Sequence, residues 1–216
     1  MPAPAVRRFG DAVSAAKAIL LLGATGAGKS PLGDVLEARG LGGRRCVHFD
    51  FGRRLRAIDR ADGGAGLTRR EVRTVRSSLA SGVLLDDEHF PIAAKLLEAF
   101  LAARNVGPDD FVVLNGLPRH AGQARDAAAI VNVTAVVELR CTPETVRERI
   151  RANAGGDRTN RTDDDPAAVG RKLDLYADRV GPLLDHYRAA GATIHTVDVL
   201  ADTSAERLWR QLNGSV

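Results

Sequence analysis

The sequence predicts an α/β fold of three layers, a parallel sheet covered by helices on both faces. Two observations carry this. Short β-rich runs alternate with stretches of helical periodicity along the chain, the order that builds a parallel sheet. The runs are apolar at nearly every position, as strands buried on both faces must be. With 216 residues the chain has enough length for one such domain with a full core. A hydrophobic share of 44% against 27% charged places it among globular rather than disordered proteins.

Taken in order, the first strand is Ile19–Leu22, followed by a glycine-rich turn and a helical stretch ending near Arg39. Cys46–Phe49 is the second strand. A glycine-rich segment, Ala61–Gly66, then opens a helical insertion reaching about Arg104, in which Phe90, Ala94, Leu97 and Leu101 share one helix face. Phe111–Leu114 and Ala135–Leu139 are the third and fourth strands. Ala154–Asp165 is too polar to pack and reads as a mobile excursion from the rigid sheet. Val169, Leu173, Tyr176, Val180, Leu183 and Tyr187 keep a helical rhythm for about five turns. Gly191 ends that helix, and Thr193–Val197 is the last strand.

Composition narrows the function. No apolar run reaches the ~18 residues a membrane span needs. Arg7 and Arg8 are not followed by an apolar signal core, so no export signal is read. Cys46 and Cys141 lack metal-ligand spacing and sit in or beside strands, which suits reduced thiols in the cytoplasm. The net charge is only +4, yet 27 of the 31 basic residues are arginine. Aromatic residues, at 4%, leave few platforms for stacking bases, so nucleic acid is not the expected partner. Guanidinium forks suit small phosphorylated ligands better.

Gly23, Ala24, Thr25, Gly26, Ala27, Gly28, Lys29 and Ser30 match G-x-x-x-x-G-K-[ST] in full, between a strand and a helix. The glycines allow backbone N–H groups to converge on phosphate oxygens, and the helix N-terminus adds favourable dipole charge. Lys29 is expected on the β- and γ-phosphates and the Ser30 hydroxyl on Mg²⁺. In a chain that writes nearly every cation as arginine, a lysine at this position is informative. The fold class is accordingly a P-loop nucleoside-triphosphatase fold with ATP as phosphoryl donor.

From Gly23 onward the chain resembles the adenylate kinase (nucleoside monophosphate kinase) family of P-loop kinases. The segments that carry the likeness fall in the family's order. They are His48–Arg56, then Gly82–Glu88, then Leu114–Arg119 with Gln123, and finally Arg161–Asp164 with the helix from Tyr176 to Tyr187. The resemblance implies a single domain over 1–216 with a five-stranded parallel sheet. Its core would span about 17–51, 105–153 and 165–216, with an acceptor-binding insertion at about 52–104 and a short, zinc-free lid at about 154–164. It further implies that Arg56 and Arg119 hold the acceptor's phosphate, and that Lys172, at the place of a family arginine, also contacts substrate. Gln123 would read the acceptor base, Arg149 pack on the ATP adenine, and the lid Arg161 swing over the transferring phosphoryl group. A monomer is implied as well. Converging cations plus Mg²⁺ suffice for such a reaction, because phosphoryl transfer is catalysed mainly by positioning and charge neutralisation.

The departures lie at the acceptor and the metal. The family's acceptor-site threonine is Phe51, the acidic residue that follows it is Arg53, one lid-side arginine is Asn153, and another is Lys172, with Arg171 beside it. The aspartate that orders the Mg²⁺ water shell is Asn115, an amide that can accept a hydrogen bond but brings no charge. Asp50 is an addition, with three readings: a cap for the helix beginning near Gly52, a water-mediated Mg²⁺ partner replacing the missing charge, or a general base for an alcohol acceptor. Three functions follow in order of preference. The first is a nucleoside monophosphate kinase. The second is a kinase of a hydroxylated metabolite with Asp50 as base and Phe51 reshaping the pocket. The third is an ATP-binding switch without transfer. No histidine pair shows ligand spacing, and Asp163–Asp165 before Pro166 reads as a charged helix start.

Overall fold

The computed structural model describes residues 15–60, 66–81, 87–159 and 165–214. The chain runs β1 (Ala16–Gly23), α1 (Lys29–Arg39), β2 (Cys46–Asp50), α2 (Phe51–Arg60), α3 (Arg69–Ser81), a 3-10 turn (Asp87–His89) and α4 (Phe90–Ala103). It continues with β3 (Phe111–Asn115), α5 (Ala121–Ala127), β4 (Val131–Arg140), α6 (Pro143–Arg151), α7 (Pro166–Ala189), β5 (Thr193–Asp198) and α8 (Ala205–Asn213). All five strands pair in parallel, in the order β2-β3-β1-β4-β5.

The two-residue period of β1 explains the three layers. Ala18, Leu20 and Leu22 point to one face, where they join Phe49 and Leu114 under side chains of α4, α5 and α7 such as Leu97, Ala124 and Leu183. Ile19 and Leu21 point to the other, where Leu32 and Leu36 of α1 and Leu208 and Leu212 of α8 cover them. Trp209 Nε1 donates to Gly40 O at 2.8 Å and ties α8 to the end of α1.

Each expected strand is present, and β4 is longer than its apolar run. It begins at Val131 because its first residues pair with Ala16–Ala18, and the register then slips so that Ala18 faces Val133 while Ile19 faces Ala135. Thr134 is the extra residue of this bulge, and its Oγ1 donates to Ala18 O. The apolar alternation restarts only past it, where the sequence made the strand visible. α7 starts as expected, with Pro166 in its first turn and Asp165 accepting from the Ala168 N–H. Cys46 and Cys141 are unpaired, and burial pushes both thiols up, Cys46 to about 12. Among the described residues no helix is long and apolar enough to cross a membrane.

β1 has β3 on one side and β4 on the other, so chain connections leave it in both directions. In open α/β sheets that reversal opens a crevice beyond the carboxyl ends of the strands. The glycine-rich turn after β1 lies there.

Candidate active site

A cavity sits at that crevice, lined by Gly23, Gly26, Gly28, Lys29 and Ser30 of the turn and by the strand ends Asp50 and Asn115. Gly28 precedes α1 with φ of 102°, a left-handed conformation that glycine adopts without strain. It turns the N-terminal N–H groups of α1 toward the cavity. Lys29 Nζ donates to Gly23 O at 2.6 Å and Ala24 O at 2.8 Å, so the lysine braces the loop it belongs to. Burial lowers its pKa to about 8; Asp50 opposes the shift, and Arg119 and Arg158 add to it.

Below the loop lies a compact polar cluster. Ser30 Oγ donates to Asp50 Oδ2 at 2.6 Å, and Asn115 Nδ2 is within donating distance of both Asp50 Oδ2 (3.1 Å) and Ser30 Oγ (3.0 Å). Asp50 Oδ1 accepts the Arg53 N–H at 2.8 Å, so the carboxylate also caps α2. Asp50 and Asn115 are direct partners in the β2–β3 register, which is why two residues 65 apart meet. Burial pushes the Asp50 carboxyl up, but the hydrogen bonds from Ser30 and Arg53 and the nearby His48 and Arg53 charges outweigh it, and the net shift is down. A carboxylate so held is a weak base, which removes the support for Asp50 as proton acceptor from an alcohol.

His48 stands behind this cluster, with Nε2 3.5 Å from Asn115 Nδ2 and Nδ1 2.9 Å from Asp34 Oδ1. Arg53 grips both Asp34 oxygens at 2.8 and 2.9 Å. Burial opposes, but the His48 and Arg53 contacts dominate, and the Asp34 carboxyl falls to about 2. The arginine at position 53 is thus part of a support that fixes His48. Gly33 makes room for it, since a Cβ there would lie 2.2 Å from His48 Nε2.

Facing the loop, Arg56, Arg119, Lys172 and Arg179 line the opposite wall. Arg119 Nε donates to Gly116 O at 2.7 Å, and its guanidinium lies over the Phe51 ring, 5.6 Å from the centroid. Burial lowers the Arg119 pKa to about 10, with Arg179 and Arg56 adding to the shift and Asp50 opposing it.

Two expected substrate contacts need correction. Phe51 is only 1% exposed, stacks on Phe49 and does not line the cavity; an aromatic ring at that position joins the core and supports Arg119 from beneath. Gln123 is 2% exposed and likewise off the cavity wall; its Oε1 accepts the Arg119 N–H at 3.0 Å. Through that oxygen it positions the backbone of the arginine. Arg149 does line the cavity, but its fork is committed to carbonyls. Nε donates to Gly26 O, and Nη1 reaches Leu200 O, Ala201 O and Thr203 O at 2.8 to 3.2 Å.

Arg161 and most of the Gly82–Glu88 segment lie outside the described residues. The described end of the expected lid supplies a different arginine, Arg158, whose Nη2 donates to Thr25 Oγ1 at 3.2 Å. Asn153 holds it there. At φ of 46° its Oδ1 accepts the Arg158 N–H and its Nδ2 donates to Thr159 Oγ1, so this departure from the family pattern fastens the segment. Sequence reasoning missed Arg158 and Arg179. The spacing of Arg179 from Lys172 and Tyr176 was the available signal.

A P-loop with a carboxylate at its foot and guanidiniums opposite, at the switch point of a parallel sheet, defines a phosphotransferase of the P-loop class. The relatives narrow the class. The chain is 31% identical to the adenylate kinase of Xanthomonas oryzae pv. oryzae over 182 residues, covering 80% of this chain and 86% of that protein. It is 31% identical to that of Xanthomonas campestris pv. campestris over 178 residues, with the same coverage. Identity to the adenylate kinase of Stenotrophomonas maltophilia is 30% over 185 residues, 83% of this chain and 89% of the other. No protein-family model matches the chain. The chain belongs to the adenylate kinase family.

Proposed function

We propose that the protein transfers the γ-phosphoryl group of ATP to a nucleoside monophosphate. The observation that carries this is a single cavity with the phosphate loop on one wall and Arg56 and Arg119 on the other. Loop N–H groups and Lys29 hold the donor's phosphates, while Arg56 and Arg119 hold the acceptor's. Between them Arg158, fixed to Thr25, adds positive charge where negative charge spreads in transfer. The acceptor phosphate is anionic near neutrality, so no residue is required as base, in keeping with the engaged carboxylate of Asp50.

The donor set at the loop's foot fits Mg²⁺. A hydroxyl, a carboxylate and an amide lie within 3.1 Å of one another, all hard ligands or partners for metal-bound water. Bound there, the metal would neutralise charge on the β- and γ-phosphate oxygens. Ser30 would touch it, with Asp50 and Asn115 acting through water. The missing aspartate of the family pattern is offset by Asp50 one strand away. Arg149, with its guanidinium immobilised beside the loop, offers one face to the donor's adenine.

The test is a panel of nucleoside monophosphates with ATP and Mg²⁺, following ADP and nucleoside diphosphate formation. Turnover with at least one acceptor is expected. ADP release no faster than without acceptor for every member of the panel refutes the proposal and leaves a binding switch.

A further inference from the structure

We propose that Arg179 is a specificity-determining residue for the acceptor, a third guanidinium that with Arg56 and Arg119 cradles a dianionic phosphate monoester. The inference rests on the nucleotide kinase reading of this cavity and adds a residue to it.

α7 lays one face along the cavity wall. Lys172, Leu175, Tyr176 and Arg179 all line it, at spacings of three, four and seven residues that bring side chains to the same side of a helix. Seven residues advance about 10 Å along the axis, so Lys172 and Arg179 serve different stations of the cavity. Arg179 lies on the acceptor side. Leu173, near Lys172, packs with Ala24 and Val146 on the side of the phosphate loop, whereas Val180 and Leu183, which follow Arg179, pack in the cluster that holds Phe51, Leu55 and Ala124 beside Arg56 and Arg119. The positive charge of Arg179 is also felt at Arg119.

The surroundings of Arg179 call for an anion. Among the described residues no carboxylate or carbonyl accepts a hydrogen bond from it, although it is half-buried and faces two other guanidiniums. A purely structural arginine in that position would have a partner, as Arg149 has in four carbonyls and Arg53 in Asp34. The cavity holds seven cationic side chains against two carboxylates, and one of those, Asp50, is already held by Ser30, Asn115 and the Arg53 N–H. A phosphate monoester brings two charges and three acceptor oxygens, enough for one contact from each of Arg56, Arg119 and Arg179.

Arg179→Gln and Arg179→Lys are compared with wild type in two measurements. Steady-state kinetics separates acceptor KM from ATP KM, and calorimetry measures binding of the acceptor nucleotide and of ATP alone. For Arg179→Gln a rise of about 10- to 100-fold in acceptor KM and Kd is expected, with ATP affinity within about twofold of wild type and Arg179→Lys in between. Unphosphorylated nucleosides, weak for wild type, are expected to be unaffected by the change. Unchanged acceptor affinity in Arg179→Gln overturns the inference while leaving the kinase reading in place. So does a joint fall in donor and acceptor affinity, which marks a structural role. If wild-type protein neither binds nor turns over any nucleoside monophosphate, both readings fall together.

Discussion

Moving one negative charge between neighbouring strands tests the site most directly. Asp50 Oδ2 is 3.1 Å from Asn115 Nδ2, and both touch Ser30 Oγ. Asp50→Asn removes the carboxylate. Its amide oxygen can keep the Ser30 hydroxyl, which turns its NH₂ onto the Arg53 N–H, or keep the Arg53 N–H, which turns its NH₂ onto that of Asn115; either way donor meets donor. One buried donor left without a partner costs about 1–3 kcal/mol of stability. Loss of a charged partner of metal-bound water raises the Mg²⁺ concentration for half-maximal activity by about 10- to 100-fold. Asn115→Asp alone puts two carboxylates about 3 Å apart, so one carboxyl pKa rises and stability falls. The double variant returns a single charge to the same space from the adjacent strand. It is expected to recover Mg²⁺ dependence to within about fivefold and most of the lost stability, a coupling that independent sites do not show. The assays are Mg²⁺ titrations of turnover, Mg²⁺-dependent ATP binding by calorimetry, and urea unfolding. An Asp50→Asn variant with wild-type Mg²⁺ dependence refutes the reasoning, and so does a double variant no better than the worse single one.

Three other outcomes follow from the geometry. Gly33→Ala drives a methyl to within 2.2 Å of the His48 ring, and a loss of about 1–3 kcal/mol or more is expected in urea unfolding, partly relieved by adding His48→Ala. With its pKa lowered to about 8, Lys29 is cationic below that pH and neutral above it. Because the cation binds phosphate, ATP affinity is expected to fall as pH rises through 8, approaching tenfold per unit as one proton is taken up on binding; calorimetry in buffers of different ionisation enthalpy checks the uptake. Arg149→Ala frees four carbonyls, and a stability loss of about 2–4 kcal/mol is expected together with weaker ATP binding and little change in acceptor KM.

Much of the scaffold could be read from the chain because buried parallel strands are apolar at consecutive positions. Leu20, Phe49 and Leu114 mark their strands without help from distant residues. The early part of β4 could not be read, because Asn132 and Thr134 belong to a stretch that is strand only through its pairing with β1. α8 was missed as well; it is short, and packing on α1 and the sheet holds it in place. In the site, Lys29 and Ser30 follow from a loop whose chemistry fixes its spacing. Asp50 and Asn115 could be named singly, but their contact depends on strand register, which no local pattern encodes. Gln123 and Phe51 were misplaced for the opposite reason. Their positions match a motif, yet burial decides what a side chain can touch, and both face inward. Arg179 was hidden by composition, one arginine among 27.

The side chain of Arg149 has a mechanical consequence. It fastens the bend after β1 to the bend after β5, so the two bends move as one jaw. Hinged motion must then come from elsewhere in the chain. The segment around Asn153–Thr159 reaches across to Thr25 of that jaw with the side chain of Arg158, a contact that one rotamer change can release. Substrate exchange can therefore proceed while the half that grips the triphosphate keeps its shape.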